Sequence, residues 1–78
     1  MRKREPTLVI TFATTTRAMK MEACCKEVKA PGRIIPVPGE ITAGCGLAWS
    51  AKPEDRAVLE QVMARYELEA EGFFEIMF

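Results

Sequence analysis

The chain contains no histidine, and that absence removes more chemistry than any other feature of its composition. Without an imidazole there is no side chain that ordinarily titrates near neutrality, no Ser-His or Cys-His nucleophile pair, and none of the commonest metal ligand. An excess of one charge is missing too: 11 basic residues balance 11 acidic ones, so the electrostatic footprint of a nucleic-acid or anionic-membrane binder is absent. Neither nucleic acid nor membrane is expected as a partner. No apolar run approaches the roughly 20 residues that cross a bilayer. The opening Met1-Arg2-Lys3-Arg4 is basic like an export signal, but the apolar run behind it is short, holds Thr7 and Thr11, and ends in Thr14-Thr15-Thr16. That is strand composition rather than signal composition, and a cytoplasmic location is expected. Three cysteines do not make an even disulfide framework, so reduced thiols are the expectation. At 78 residues the chain is near the lower limit for one hydrophobic core, which leaves no room for a second domain or a large enclosed cavity.

What is present reads as alternating strands and helices. Leu8, Ile10 and Phe12 alternate with Val9 and Thr11, the period of two that marks a strand over residues 7 to 13. The threonines that follow offer an N-cap, and Ala18, Met21, Cys25 and Val28 then share one stripe of a helix over residues 15 to 29. Pro31-Gly32 ends it. Arg33-Ile34-Ile35-Pro36-Val37-Pro38 reads as a second strand that its prolines, lacking N–H donors, confine to a sheet edge. Residues 46 to 50 form a third strand, paired with the second, with Leu47 and Trp49 on one face and Ala48 and Ser50 on the other. Pro53 suits the first position of a second helix, followed by Glu54 and Asp55, and Leu59, Val62, Met63 and Tyr66 give its apolar stripe to about residue 66 or 68. After Gly72 a last strand runs to Phe78, with Phe74, Ile76 and Phe78 as its inward face. The order β-α-β-β-α-β at this length is a ferredoxin-like α+β domain over residues 1–78, a four-stranded antiparallel sheet with both helices on one face.

The three cysteines separate by position. Cys25 lies on the apolar helical stripe, where cysteine behaves as a small hydrophobe. Cys24 is one residue away, about 100 degrees around the helix, so the two are a poor disulfide or chelate pair, and neither gives the C-x₂-C spacing of a zinc site. Cys45 stands between Gly44 and Gly46, at a loop-to-strand junction where glycine permits backbone conformations other residues resist. One reading is a tight turn with a buried thiol. The other follows from topology: the start of the third strand shares a sheet end with the end of the first, where the first helix begins. The N–H groups around Thr14, Thr15 and Thr16, with Arg17 in the first turn, would there favour a thiolate. Such a thiolate needs no base to exchange with a donor sulfur.

Several stretches carry a family resemblance: the opening strand ending in Phe12, the helix containing Ala18 and Glu22, Ile34-Ile35-Pro36-Val37-Pro38, and above all Glu40-Ile41-Thr42-Ala43-Gly44-Cys45-Gly46-Leu47-Ala48. In these the chain resembles a bacterial family of small Se/S carrier-like proteins built with a proline-bearing strand, a polar loop and a Cys-Gly pair. The resemblance implies that Cys45 is the carrier residue. Cys24 and Cys25 stand where that family shows large aliphatic residues, in keeping with a packing role. Gly39 stands where the family often has a basic residue, which removes charge assistance from that position.

Two readings of function follow. In the first, Cys45 holds sulfur or selenium as a persulfide or selenosulfide, received from a desulfurase-like donor and passed to an acceptor enzyme of sulfur or selenium metabolism. Gly44 and Gly46 give access, and no cofactor or metal is needed. In the second, the domain is a ligand-binding or protein-interaction module whose Gly39–Gly46 loop makes the contact, and Cys45 is structural. Either way a carrier or binding protein is expected rather than an enzyme. A homodimer through the open sheet face is compatible with both, with Phe73, Met77 and Trp49 as the exposed apolar candidates unless they pack against the N-terminal tail. Arg56, Glu60, Arg65, Glu67, Glu69 and Glu71 read as a solvated surface.

Overall fold

The computed structural model describes residues 5–39, 41 and 46–77. Strand β1 (Pro6–Thr11) leads through helix α1 (Thr15–Val28) to β2 (Arg33–Pro36), then β3 (Leu47–Ala51), a 3₁₀ turn (Pro53–Asp55), helix α2 (Arg56–Arg65) and β4 (Gly72–Met77). The strands form one antiparallel sheet in the order β2-β3-β1-β4. This is the ferredoxin-like α+β arrangement, with the expected pairing of β2 on β3 and with β2 at an edge. No helix among the described residues is long and apolar enough to cross a membrane.

The sequence of β1 explains why it sits in the middle. Leu8, Val9, Ile10 and the following Phe12 are wholly buried and Thr11 nearly so, as both parities of the strand are covered. Leu8, Ile10 and Phe12 face the helices, where they meet Ala18, Met21 and Cys25 of α1 and Leu59, Val62 and Met63 of α2. The stripes expected for both helices are therefore the packed ones, with Tyr66 half-buried beside them. Val9 faces the other way and meets Ile35, Ala48 and Ile41.

Helix boundaries follow the chain's local chemistry. Thr14 caps α1, its side-chain oxygen accepting the Arg17 N–H at 3.2 Å, which satisfies one of the orphan donors of the first turn. Pro53 opens a 3₁₀ turn rather than the α-helix itself: Asp55 N–H reaches the Lys52 carbonyl at 2.9 Å, and α2 starts only at Arg56. Both helices close with a non-glycine residue in the left-handed region. Lys29 (φ 57) precedes an Ala30 N–H bond to Cys25 O, and Glu67 (φ 54) precedes a Leu68 N–H bond to Met63 O, both at 2.8 Å, the wrapped ends of a Schellman motif.

Two expectations about facing are corrected by the register. β4 pairs with β1 so that Phe73 lies opposite Ile10, and Phe74 opposite Val9. Directly opposed residues share a face, so Phe73 points to the helix side, whereas Phe74 and Ile76 lie on the helix-free side instead of forming the inward face. Trp49 is likewise opposite Ile10 and buried in the helix-side core, so neither it nor Phe73 belongs to an open sheet face. Met77 is 48 % exposed at the strand end, and Phe78 lies outside the described residues.

Trp49 is tied down further by its indole N–H, which donates to Pro31 O at 3.1 Å. The same contact dictates Gly32: a β-carbon there would stand 2.2 Å from the indole nitrogen and 2.6 Å from Ser50 O, at a φ of +110. Gly32→Ala combines overpacking with backbone strain and is expected to lower unfolding stability by about 2–5 kcal/mol, measured by urea denaturation. Glu67→Gly has the opposite sign. It relieves the left-handed strain and removes a negative charge from a helix C-terminus, and a gain of about 1 kcal/mol is expected in the same assay.

Candidate functional site

The connection between β2 and β3 carries the segment singled out in the sequence, and both of its flanks are anchored. On the leading side Val37 N–H donates to Gly46 O at 3.0 Å, extending the β2–β3 pairing, and a turn closes with Ile41 N–H to Pro38 O at 3.0 Å. The Pro38-Gly39 sequence is suited to such a turn, since proline fixes its own φ and glycine follows without steric restriction. Ile41 then turns its side chain onto the helix-free face, where it is buried with Val9, Ile35 and Ala48. On the trailing side Gly46 is exposed and adopts φ +77. A β-carbon there would meet nothing within 4 Å, so its glycine answers to backbone conformation alone and not to packing. Glu40 and the four residues Thr42, Ala43, Gly44 and Cys45 lie outside the described residues.

The position of Gly46 in the sheet is fixed by its neighbours. Leu47 pairs with Pro36 and Ala48 with Thr11. Since Thr11 ends β1 and α1 starts at Thr15, the entry to β3 shares a sheet end with the α1 N-terminus. Thr14, Thr15 and Thr16 are all exposed there. The Thr14 hydroxyl is engaged in capping, and the Arg17 guanidinium donates to Glu69 Oε2 at 2.6 Å. A cleft of about 150 Å³ beside these first turns is lined by Arg17, Lys20, Glu67, Leu68 and Glu69, two cations against two carboxylates. Arg17 therefore does not present an uncompensated positive charge. Glu69, read from the sequence as a solvated acid, is its partner across 52 residues; only tertiary structure brings the two together, and no local spacing could have signalled it.

The helix cysteines sit as the stripe predicts. Cys25 is 1 % exposed among Met21, Ala18 and the sheet, while Cys24 is half-buried at the edge of the same cluster. Burial pushes the Cys25 thiol up from 9.0 to about 11, and a charge on the adjacent Cys24 would push in the same direction. Cys25 is thus held as an unreactive thiol at neutral pH. Among the described residues no group of Cys, Asp and Glu converges as a metal cage.

A pH dependence of stability follows. The unfolded chain gives up the Cys25 proton near 9.0, the folded chain only near 11. Below the lower value this group leaves stability unchanged. Between the two values the unfolded state binds fewer protons, so stability falls with rising pH, and the loss levels off above the folded value. Denaturation of wild type against Cys25→Ala should show their stability difference constant well below 9.0 and changing against wild type as the pH passes through 9.0 towards about 11.

Comparison with known families supplies the context for this geometry. Neither the curated proteins nor the solved structures gave a match. A family model described as "Putative Se/S carrier protein-like" matches residues 7–75. That span takes in both helices, β2, β3 and the whole connection between them, and on this match the chain belongs to the Se/S carrier-like family.

Proposed function

We propose that this protein carries a sulfur or selenium atom on Cys45, as a persulfide or selenosulfide, between a protein donor and an acceptor enzyme. The observation that carries the reading is the family match over residues 7–75, a family whose name describes carriage. Elimination among the thiols supports the choice of residue. Cys25 is buried with its pKa raised, and Cys24 is half-buried on the same packed helix. Cys45 adjoins Gly46, which is exposed and in a left-handed conformation that no packing demands.

The chemistry needs only a thiolate and a leaving group. The Cys45 thiolate attacks the outer sulfur of a donor persulfide; a new S–S bond forms on Cys45, the old S–S bond breaks, and the donor cysteine leaves as a thiolate. There is no net oxidation. Delivery is the same exchange run onto an acceptor thiol, or release of the outer atom to a reductant at the acceptor. A cytoplasmic location suits this chemistry, because a reducing compartment keeps the carrier thiol free between cycles. The anchors on either side of the segment, Ile41 on the sheet and Gly46 against Val37, would limit the entropy lost when a partner engages it.

Intact mass of the reduced protein, after incubation with a cysteine desulfurase and cysteine, tests the proposal. Wild type and the Cys24→Ser/Cys25→Ser variant should each gain the mass of one sulfur atom, and Cys45→Ser should gain none. An adduct that survives in Cys45→Ser, or a Cys45 thiol that resists alkylation in the folded protein, would sink it.

A further inference from the structure

The two edges of the sheet are protected very differently. β2 carries Pro36, with Pro38 just beyond it; each lacks an N–H, and proline at an edge discourages another strand from adding there. β4 is the opposite edge. Its sequence, Gly72-Phe73-Phe74-Glu75-Ile76-Met77, has neither proline nor lysine, the usual devices that keep an edge monomeric. Its single charged side chain is Glu75. Phe74 is 39 % exposed on the helix-free face, and among the described residues no strand pairs with the outer side of β4.

The charges beside this edge are self-complementary. The Arg56 guanidinium, at the start of α2, lies over the Phe73 ring, 4.8 Å from its centroid. It pairs with Glu60 at 2.8 Å in an exposed i,i+4 contact, one that uses only its Nε–H of the five donors a guanidinium offers. Phe73 and Glu75 lie on the same, helix-side face of β4, opposite Ile10 and Leu8. When two β4 strands run antiparallel about a two-fold axis at Phe74, Phe73 of each copy falls opposite Glu75 of the other. Opposed β-carbons are then about 5 Å apart, which brings each Glu75 carboxylate within reach of the second copy's Arg56. On the other face Phe74 meets Phe74, an aromatic cross-strand pair, and Ile76 stands opposite Gly72, whose bare α-carbon lies under the Phe74 ring of its own strand. Every other register breaks one of these matches.

We infer that β4 is a homodimerisation edge: two copies of this chain join β4 to β4 in that register, making one continuous eight-stranded sheet. The pairing uses the outer edge of β4, whereas Ile41, which anchors the β2–β3 connection, packs on the helix-free face with Val9, Ile35 and Ala48. Two short strands bury little area, and the dimer is of the weak, concentration-dependent kind. This proposal is independent of the reading of Cys45, which a monomer could equally support.

Sedimentation equilibrium of the full chain over a concentration series tests it. Wild type should dissociate in a concentration-dependent manner, and Glu75→Arg and Arg56→Glu should each raise the dissociation constant at least about tenfold, a change of about 1.4 kcal/mol. Combining Glu75→Arg with Arg56→Glu should bring it back to within about threefold of wild type, because the crossed pair re-forms with its signs exchanged. Far-ultraviolet circular dichroism checks that each variant is folded; both positions are exposed, and Phe74→Ser offers a second, uncharged weakening of the same edge. A monomer at every concentration up to about 1 mM, where even weak pairs associate, would overturn the inference. So would a dimer indifferent to the two charge reversals, or one that the double exchange fails to restore.

Discussion

The burial of β1 on both faces is the constraint from which the rest of the architecture follows. A central strand with apolar residues on both faces, Leu8 and Ile10 on one and Val9 on the other, needs a cover above and below, yet a ferredoxin-like arrangement supplies helices on one side only. α1 and α2 enclose Leu8, Ile10 and Phe12, each fully buried apolar side chain contributing about 1.5–3 kcal/mol. The other side has no helix. Val9 is nevertheless fully buried, because the β2–β3 connection folds back and lays Ile41 beside it. A segment that sequence patterning treats as a loop thus doubles as a piece of the core, and its start is held by the same hydrophobic effect that holds the strands.

That double duty shapes the chemistry available to the connection. A loop that only joined two strands would carry any cysteine on a freely moving tether, and a partner would have to order all of it. Here the tether is short: Ile41 is buried, Gly46 is hydrogen-bonded through its carbonyl to Val37, and Thr42 to Cys45 stand between them. The charge distribution nearby is balanced rather than steering. Arg17, the cation nearest the α1 N-terminus in sequence, is spent on Glu69, an exposed pair of small energetic value but one that cancels its field at distance. This end of the sheet therefore carries no strong long-range field from Arg17, in keeping with a chain of zero formal net charge.

Much of this was legible from residue pattern alone, for physical reasons that can be stated residue by residue. The helix stripes were readable because Ala18, Met21 and Cys25, and Leu59, Val62 and Met63, repeat at helical spacing and have no competing apolar parity. The edge position of β2 was readable because a missing N–H is a property of proline itself. The facing of β4 was not. Phe73 and Met77 lie on one parity, Phe74, Ile76 and Phe78 on the other, so counting apolar residues favours the wrong face; only pairing with β1 decides it, and that is a long-range fact. Trp49 was assigned correctly to the face of Leu47, but its burial under the helices depends on the Pro31 carbonyl and the bare α-carbon of Gly32, contacts from a distant turn. At the candidate site, the shared sheet end of Gly46 and the α1 N-terminus followed from topology, whereas the capture of Arg17 by Glu69 had no local signal at all.

The burial of Cys25 shows why counting thiols says little about reactivity. Cys25 occupies a position that any small apolar side chain could fill, and the low-dielectric core that makes it fit is what raises its pKa to about 11. Packing and reactivity are opposed there: every contact that stabilises the neutral thiol withholds the thiolate needed for exchange. A carrier cysteine has the reverse requirement. It must stay outside the core while its backbone is held, a need that glycine neighbours suit because they add no side chain that would bury the sulfur. In a chain without histidine, where no imidazole can serve as base, the environment of a thiol sets its readiness for exchange, and at Cys25 that environment withholds it.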